Sequence, residues 1–261
     1  MTYQTLDVQI NDDGVTHVAL NAPDTRNALS VQMMSDLTQV AAELGSSDDV
    51  RVVVLSGNGA VFCAGGDLNW MKAQVGATRE VRISEAKKLA AMLQALNEMP
   101  KPLIGKIHGG AFGGGVGLAC VCDVAVAIDG TKFGFTETKL GLIPATIGPY
   151  VVARMGEGNA RRVFMSSRIF NAIEARELGI VAKVVQADQI DDAVAFEVQP
   201  YLSLAPRAVG AAKALARSLG APIDAAIIAD TIERLADTWE GEEADHGITS
   251  FLNKTPPRWS Q

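Results

Sequence analysis

Two stretches of this chain combine glycine with the edges of regular structure. The first is Ser56-Gly57-Asn58-Gly59-Ala60-Val61-Phe62-Cys63-Ala64-Gly65-Gly66-Asp67-Leu68, and the second is His108-Gly109-Gly110-Ala111-Phe112-Gly113-Gly114-Gly115-Val116-Gly117-Leu118. Each follows a hydrophobic run and leads toward a helical pattern. Glycine lets backbone come close to a ligand, and a helix start presents unbonded N–H groups and the positive end of its dipole. One such loop can hold an anion. Two facing loops can supply the paired N–H donors of an oxyanion hole. The same glycines also suit two tight turns dictated by packing. Three other glycine-loop chemistries fail on spacing. Neither loop ends in the Gly-Lys-Ser/Thr of a phosphate-binding P-loop. The dinucleotide spacing G-x-G-x-x-G breaks at Leu118 from Gly113 and at Phe62 from Gly57. The G-x-S-x-G of a serine hydrolase is absent.

The elements that must position these loops alternate along the chain. Tyr3–Ile10 and Val15–Leu20 read as strands joined through Asn11-Asp12-Asp13-Gly14. Ser30 is placed to cap a helix that runs to about Leu44, with Gly45 as its stop. Val50–Leu55 is a buried-strand run ahead of the first glycine loop. Glu80–Asn97 reads as a helix ended by Met99-Pro100-Lys101-Pro102. Leu103–Ile107 is a strand ahead of the second loop, which enters a short helix ending near Cys122. Strands follow at Asp123–Ile128, Lys132–Phe135 and Val181–Val185, with helices at Ala160–Phe164 and Asn171–Leu178. From about Pro200 only helical pattern is left, Arg207–Leu219 and Pro222–Glu240. This divides the chain into an α/β core, 1–199, and a helical C-terminal region, 200–261.

Length and composition fit that plan. A chain of 261 residues, 48% of them apolar, can bury a large core. No apolar run approaches the roughly 18 residues of a membrane span, and the start MTYQTLDVQI lacks a signal-peptide pattern. Three cysteines suit a reducing, cytoplasmic setting better than a disulfide framework. A net charge of −7 argues against nucleic acid as a partner. An anionic ligand would have to be held by local cations and aimed N–H groups.

Phe62-Cys63-Ala64-Gly65-Gly66-Asp67-Leu68 resembles the F-x-A-G-x-D-L/I loop of the crotonase, or enoyl-CoA hydratase/isomerase, superfamily. His108 to Gly115 resembles its N-G-x-A-x-G-G-G loop. Phe133-Gly134-Phe135-Thr136-Glu137 with Leu140-Gly141-Leu142-Ile143-Pro144 is similar to its F-G-x-x-E…L-G-x-x-P segment. Arg26-Asn27-Ala28-Leu29 and Phe251-Leu252-Asn253-Lys254 match its elements near the two ends. The resemblance implies an α/β fold in which repeated ββα units wind into a spiral, with C-terminal helices that trimerise. It implies a homo-oligomer, trimer or dimer of trimers, and an acyl-CoA thioester substrate. Coenzyme A is then part of the substrate, and no separate cofactor or metal is needed. By position, the oxyanion donors fall on the N–H groups of Gly66 and Gly114. Arg26, Ala28, Ala64, Asp67 and Leu68 would line the coenzyme A path, and Lys254 would approach its phosphates. Details such as Asp67-Leu68-Asn69-Trp70-Met71 and Ile143 to Tyr150 look most like a bacterial branch assigned to methylglutaconyl-CoA hydration in leucine degradation.

A thioester carbonyl takes on negative charge as an enolate when a proton moves at its α-carbon, so a carboxylate must accompany the donors. Glu137 is the candidate, set among apolar Phe133, Phe135, Leu140 and Leu142, where burial would raise its pKa. The family's common hydratases carry a second glutamate two residues after the triple glycine. Here that residue is Gly117, and no Asp or Glu occurs from Lys101 to Cys122. Three arrangements stay open: hydration by Glu137 alone, hydration with the substrate's own carboxylate placing the water, and double-bond isomerisation with Glu137 as the single proton shuttle. A non-catalytic acyl-CoA-binding protein is the alternative outside enzymology. His108 reads as a structural imidazole bonded to backbone, and Cys63 as packing.

Overall fold

The computed structural model describes residues 2–260. Its centre is a six-stranded sheet. The first two strands, β1 (Leu6–Ile10) and β2 (Val15–Leu20), form the expected antiparallel hairpin, and β2 pairs in parallel with β3 (Val52–Gly57). Parallel pairing continues to β4 (Leu103–Ile107), β6 (Val124–Ile128) and β9 (Lys183–Val185). A smaller sheet orders β5 (Gly110–Phe112), β7 (Lys132–Gly134) and β8 (Ile169–Asn171).

The run Val52-Val53-Val54-Leu55 is apolar throughout because both faces of β3 are covered. Val53 and Leu55 enter the main core with α1 (Val31–Ser46) and α3 (Arg79–Glu98). Val52 and Val54 face the other way, onto Ile190, Val194 and Val198 of α8 (Ile190–Val198). Ser30 caps α1 through Met33 N, as its type predicts. The short helices α4 (Gly114–Val121), α5 (Gly148–Met155), α6 (Glu157–Phe164) and α7 (Ala172–Glu177) fill the space around the small sheet.

Several boundaries differ from those expected. The first strand begins at Leu6, because the N–H groups of Gln4 and Thr5 donate to the buried carboxylate of Asp36. Gly45 does not stop α1. It lies inside the last turn, where a Cβ would come within 3.2 Å of the Pro100 ring. The first glycine loop ends in a helix, α2 (Leu68–Gln74), capped by Asp67. The strands β5 and β8, the helices α5 and α8 and a last helix, Glu242–Leu252, are additional to those expected.

The C-terminal helices α9 (Pro206–Ser218), α10 (Ala225–Trp239) and α11 (Glu242–Leu252) pack back onto the core. Lys213 of α9 donates to Asp123 (2.8 Å) and to the Lys101 carbonyl. Ile232, Leu235 and Trp239 of α10 cluster with Ala86 and Ala90 of α3, with Leu142, and with Ala244 and Ile248 of α11. Gly247 lets α11 lie against Leu140, since a Cβ there would come within 2.6 Å of its backbone. The segment that carries Glu137 is therefore clamped by the chain's own end. Among the described residues no helix is long and apolar enough to cross a membrane.

Candidate active site

The two glycine loops lie side by side. Phe62 N–H donates to His108 O, Cys63 N–H to Gly110 O and Phe112 N–H to Cys63 O, with distances of 2.9, 3.1 and 3.1 Å. This pairing leaves no room for side chains where the loops cross. A Cβ on Gly65 would sit 2.7 Å from Phe112 O, and one on Gly115 would sit 2.5 Å from Cys63 O. Gly65 also has φ +92°, a conformation only glycine adopts freely. The same Gly65 position lies 3.8 Å from Gly114 N, so the loops meet beside the start of α4.

The direction of the key N–H groups follows from peptide geometry. In a trans peptide the C=O and the next N–H point opposite ways. Gly65 O accepts from Leu29 N (2.8 Å), so Gly66 N–H points away from that strand-like pairing. Gly113 O accepts from Val116 N and Gly117 N inside α4, so Gly114 N–H points out of the helix start. No side chain caps this helix, whose N-cap is Gly113. Gly66 is exposed and Gly114 half-buried. Neither N–H donates to another group among the described residues, and that of Gly114 sits at the positive end of a helix dipole.

Residues 26–29 brace the first loop. Ala64 N–H donates to Arg26 O (3.0 Å). Asn27 is fully buried, with φ 54°. Its side chain accepts from Ala22 N and donates to the carbonyls of Asn58 and Val61, at 2.9, 2.8 and 3.0 Å. This makes Asn27 the lock between the two segments, a role the R-N-A-L element did not disclose. Ala28 is buried beside it, and the Arg26 side chain is exposed. Asp67 spends its carboxylate on capping α2, accepting from Asn69 N and Trp70 N, and Leu68 opens that helix half exposed. Thus Arg26, Ala28, Ala64, Gly66, Asp67, Leu68 and Gly114 belong to one locality. Lys254 is not joined to them: it follows α11 with φ 56°, and its side chain makes no hydrogen bond or ion pair among the described residues.

Glu137 opens a short 3-10 turn, Glu137–Leu140, after β7. Its Oε1 lies 2.9 Å from where a Cβ on Gly113 would be, so the carboxyl abuts the loop end that carries Gly114. Its Oε2 is buried and has no hydrogen-bond partner among the described residues. Burial pushes the carboxyl from an ordinary 4.5 up to about 7, against smaller opposing pulls from the backbone N–H groups of Glu137 and Thr136. Such a group can both take and give a proton near neutrality.

Gly117 lies one turn along α4 from Gly114. A Cβ there would be 2.6 Å from Ile147 Cγ2 and 3.6 Å from Leu93 Cδ2. The space for a second side chain is already filled by Ile147, expected only as part of the Ile143 to Tyr150 run. His108 Nε2 bonds to the Gly59 carbonyl at 2.9 Å, the structural use expected of it. Cys63 is buried, and burial pushes its thiol up to about 12, far from thiolate chemistry.

Known proteins share this arrangement over the whole chain. The profile of the family described as enoyl-CoA hydratase/isomerase matches residues 11–261. The enoyl-CoA hydratase ACTT6 of Alternaria alternata is 33% identical over 244 residues, covering 91% of this chain and 78% of that protein. The structure of an enoyl-CoA hydratase from Shewanella pealeana superposes with a TM-score of 0.81 at 35% identity, covering 99% of this chain and 97% of that one. An enoyl-CoA hydratase from Mycobacterium avium superposes with a TM-score of 0.85 at 29% identity, over 99% and 100% of the two chains. The crossed glycine loops, the outward N–H groups and this similarity agree: the chain is an enzyme of the enoyl-CoA hydratase/isomerase family, with the crotonase fold.

Proposed function

We propose that the chain hydrates a 2-enoyl-CoA thioester, with the N–H groups of Gly66 and Gly114 holding the enolate oxygen and Glu137 moving the proton. One observation carries this reading: a buried carboxyl with an unpaired oxygen abuts the loop that ends in Gly114. In the addition, water oxygen bonds to C3 while Glu137 accepts the water's proton. The electron pair of the C2=C3 bond moves toward the thioester oxygen, where the two donors stabilise it. Glu137 then gives the proton to C2 and the carbonyl reforms. One carboxyl serving both carbons from one side makes the addition syn. Arg26, Ala28, Ala64, Asp67 and Leu68 line the coenzyme A path in this reading, with Lys254 reserved for its phosphates, and the working form is a homo-oligomer of the trimer class.

A second reading is supported by Gly117. With Ile147 in the place of a second carboxylate, water has one fewer polar group to hold it, and a single base suits isomerisation of a 3-enoyl-CoA. Conjugated-thioester absorbance separates the two. Loss of absorbance from crotonyl-CoA or from branched methylglutaconyl-CoA, the leucine-degradation substrate, supports hydration. Gain of absorbance from a 3-enoyl-CoA without loss from any 2-enoyl-CoA refutes hydration in favour of isomerisation.

A further inference from the structure

The buried face of α2 carries two residues, Met71 and Gln74. Met71 marks one end of a path, because its Cγ lies 3.9 Å from the Cβ position of Gly66. Gln74 lies three residues on along the same face, about 4.5 Å farther along the helix axis. That is the reach of a short acyl chain starting at a thioester held on Gly66. The next residue, Val75, packs on an apolar cluster with Ile83, Leu142, Ile143 and Trp239.

Gln74 breaks that apolar pattern. It is only 3% exposed, and its Oε1 is buried without a hydrogen-bond partner among the described residues. Its main chain, by contrast, is firmly tied. The Gln74 carbonyl accepts from Ala77 N at 3.2 Å and from Nε and Nη2 of Arg82 at 3.1 and 3.0 Å. Arg82 in turn donates to Trp239 O and stacks over the Trp239 ring. The residue is thus held in place while its amide oxygen has no partner among the described residues. An unpaired buried amide oxygen is costly unless a partner arrives from outside the chain.

We infer that Gln74 is a specificity residue that reads a hydrogen-bonding oxygen on the acyl chain, beyond the reacting carbons. Its amide accepts from a hydroxyl through Oε1. Turned over about its last torsion, it donates two N–H groups to a carboxylate. The preferred substrate class is then an oxygen-bearing acyl-CoA, rather than a plain alkyl one. This rests on the acyl-CoA reading of the Gly66–Gly114 site.

Binding of saturated thioesters tests it without turnover. Calorimetry on the full chain would use pentanoyl-CoA, 5-hydroxypentanoyl-CoA and glutaryl-CoA. The parent protein should bind at least one of the oxygen-bearing pair about tenfold or more tightly than pentanoyl-CoA. The tighter of the two identifies hydroxyl or carboxylate as the group read. Gln74→Leu should erase that preference, and Gln74→Met, the nearest in length, should do the same if the leucine variant folds poorly. Gln74→Glu should weaken glutaryl-CoA selectively. Equal binding of all three by the parent, tighter binding of pentanoyl-CoA, or a preference that survives Gln74→Leu and Gln74→Met would overturn the inference. Failure of the parent to bind any of the three would refute the acyl-CoA reading and this inference with it.

Discussion

Replacing Glu137 with glutamine should move activity and stability in opposite directions. The carboxyl is buried, its Oε2 is unpaired, and its pKa rises from 4.5 to about 7 in the folded chain. Between those two values the folded protein keeps a proton that the unfolded chain has released. Stability therefore falls as pH rises through the window, by about 1.4 kcal/mol per pH unit. Across the whole window this amounts to up to about 3 kcal/mol, fully lost once pH passes 7. Below pH 4.5 both states are protonated and nothing is lost. Glutamine has the same shape and never ionises. Glu137→Gln should therefore be more stable than the parent by up to about 3 kcal/mol at pH 8, and nearly equal to it near pH 4. Guanidinium unfolding at the two pH values measures this directly. The same change should lower kcat for hydration by about 10²–10⁴, the range expected for loss of acid–base catalysis. In the parent, kcat/KM for hydration should fall as pH drops below about 7, because the water's proton needs the ionised carboxylate. A variant that keeps parental activity at pH 8 would show that Glu137 is not the proton carrier, and one whose stability gain is the same at pH 4 would show that its carboxyl is not a buried acid with a raised pKa.

Further changes probe the frame around it. Gly113→Ala should lower kcat by up to about 10², because its Cβ would meet Glu137 Oε1 at 2.9 Å and its φ of +47° disfavours a side chain; steady-state kinetics on a turned-over thioester read this. Asn27→Ala should destabilise by about 2–4 kcal/mol, since it unpairs Ala22 N–H and the carbonyls of Asn58 and Val61, as chemical denaturation would report. Gly117→Glu should destabilise by about 1–3 kcal/mol through its clash with Ile147, and adding Ile147→Gly should recover stability, as thermal unfolding of the single and double variants would show.

What the residues disclosed follows from what kind of force fixes each feature. The glycine loops could be read because a backbone donor site demands glycine at fixed places, and a side chain at Gly65 or Gly115 has nowhere to go. The β3 run could be read because parallel neighbours bury both of its faces. The strand β5 could not, since its three residues lie inside a glycine-rich loop, nor could β8, whose last residue, Asn171, caps α7 and reads as helix start. The helix α2 was hidden inside a glycine-rich stretch, although Asp67 is an ordinary cap for it. The stop assigned to Gly45 failed because glycine there answers to Pro100, a partner far along the chain.

The same distinction governs the reaction. The sequence states that the second carboxylate is missing at Gly117, but an absence has no geometry. The structure turns it into a physical fact: the space beside Gly117 belongs to Ile147 and Leu93, so no polar side chain can enter without displacing them. Polar help must then come from elsewhere around the substrate. Glu137 Oε2 and Gln74 Oε1 are both buried oxygens without a partner among the described residues. In the proposed hydration the first would carry the proton, and the second lies a helical turn beyond Met71, where the acyl tail would end. A site that has lost one carboxylate and keeps two unpaired oxygens is arranged for a substrate that brings polar atoms of its own. An enzyme built for a bare alkyl chain would gain stability by burying leucine at position 74. That Gln74 is buried there instead ties the missing glutamate and the substrate's chemistry to one another.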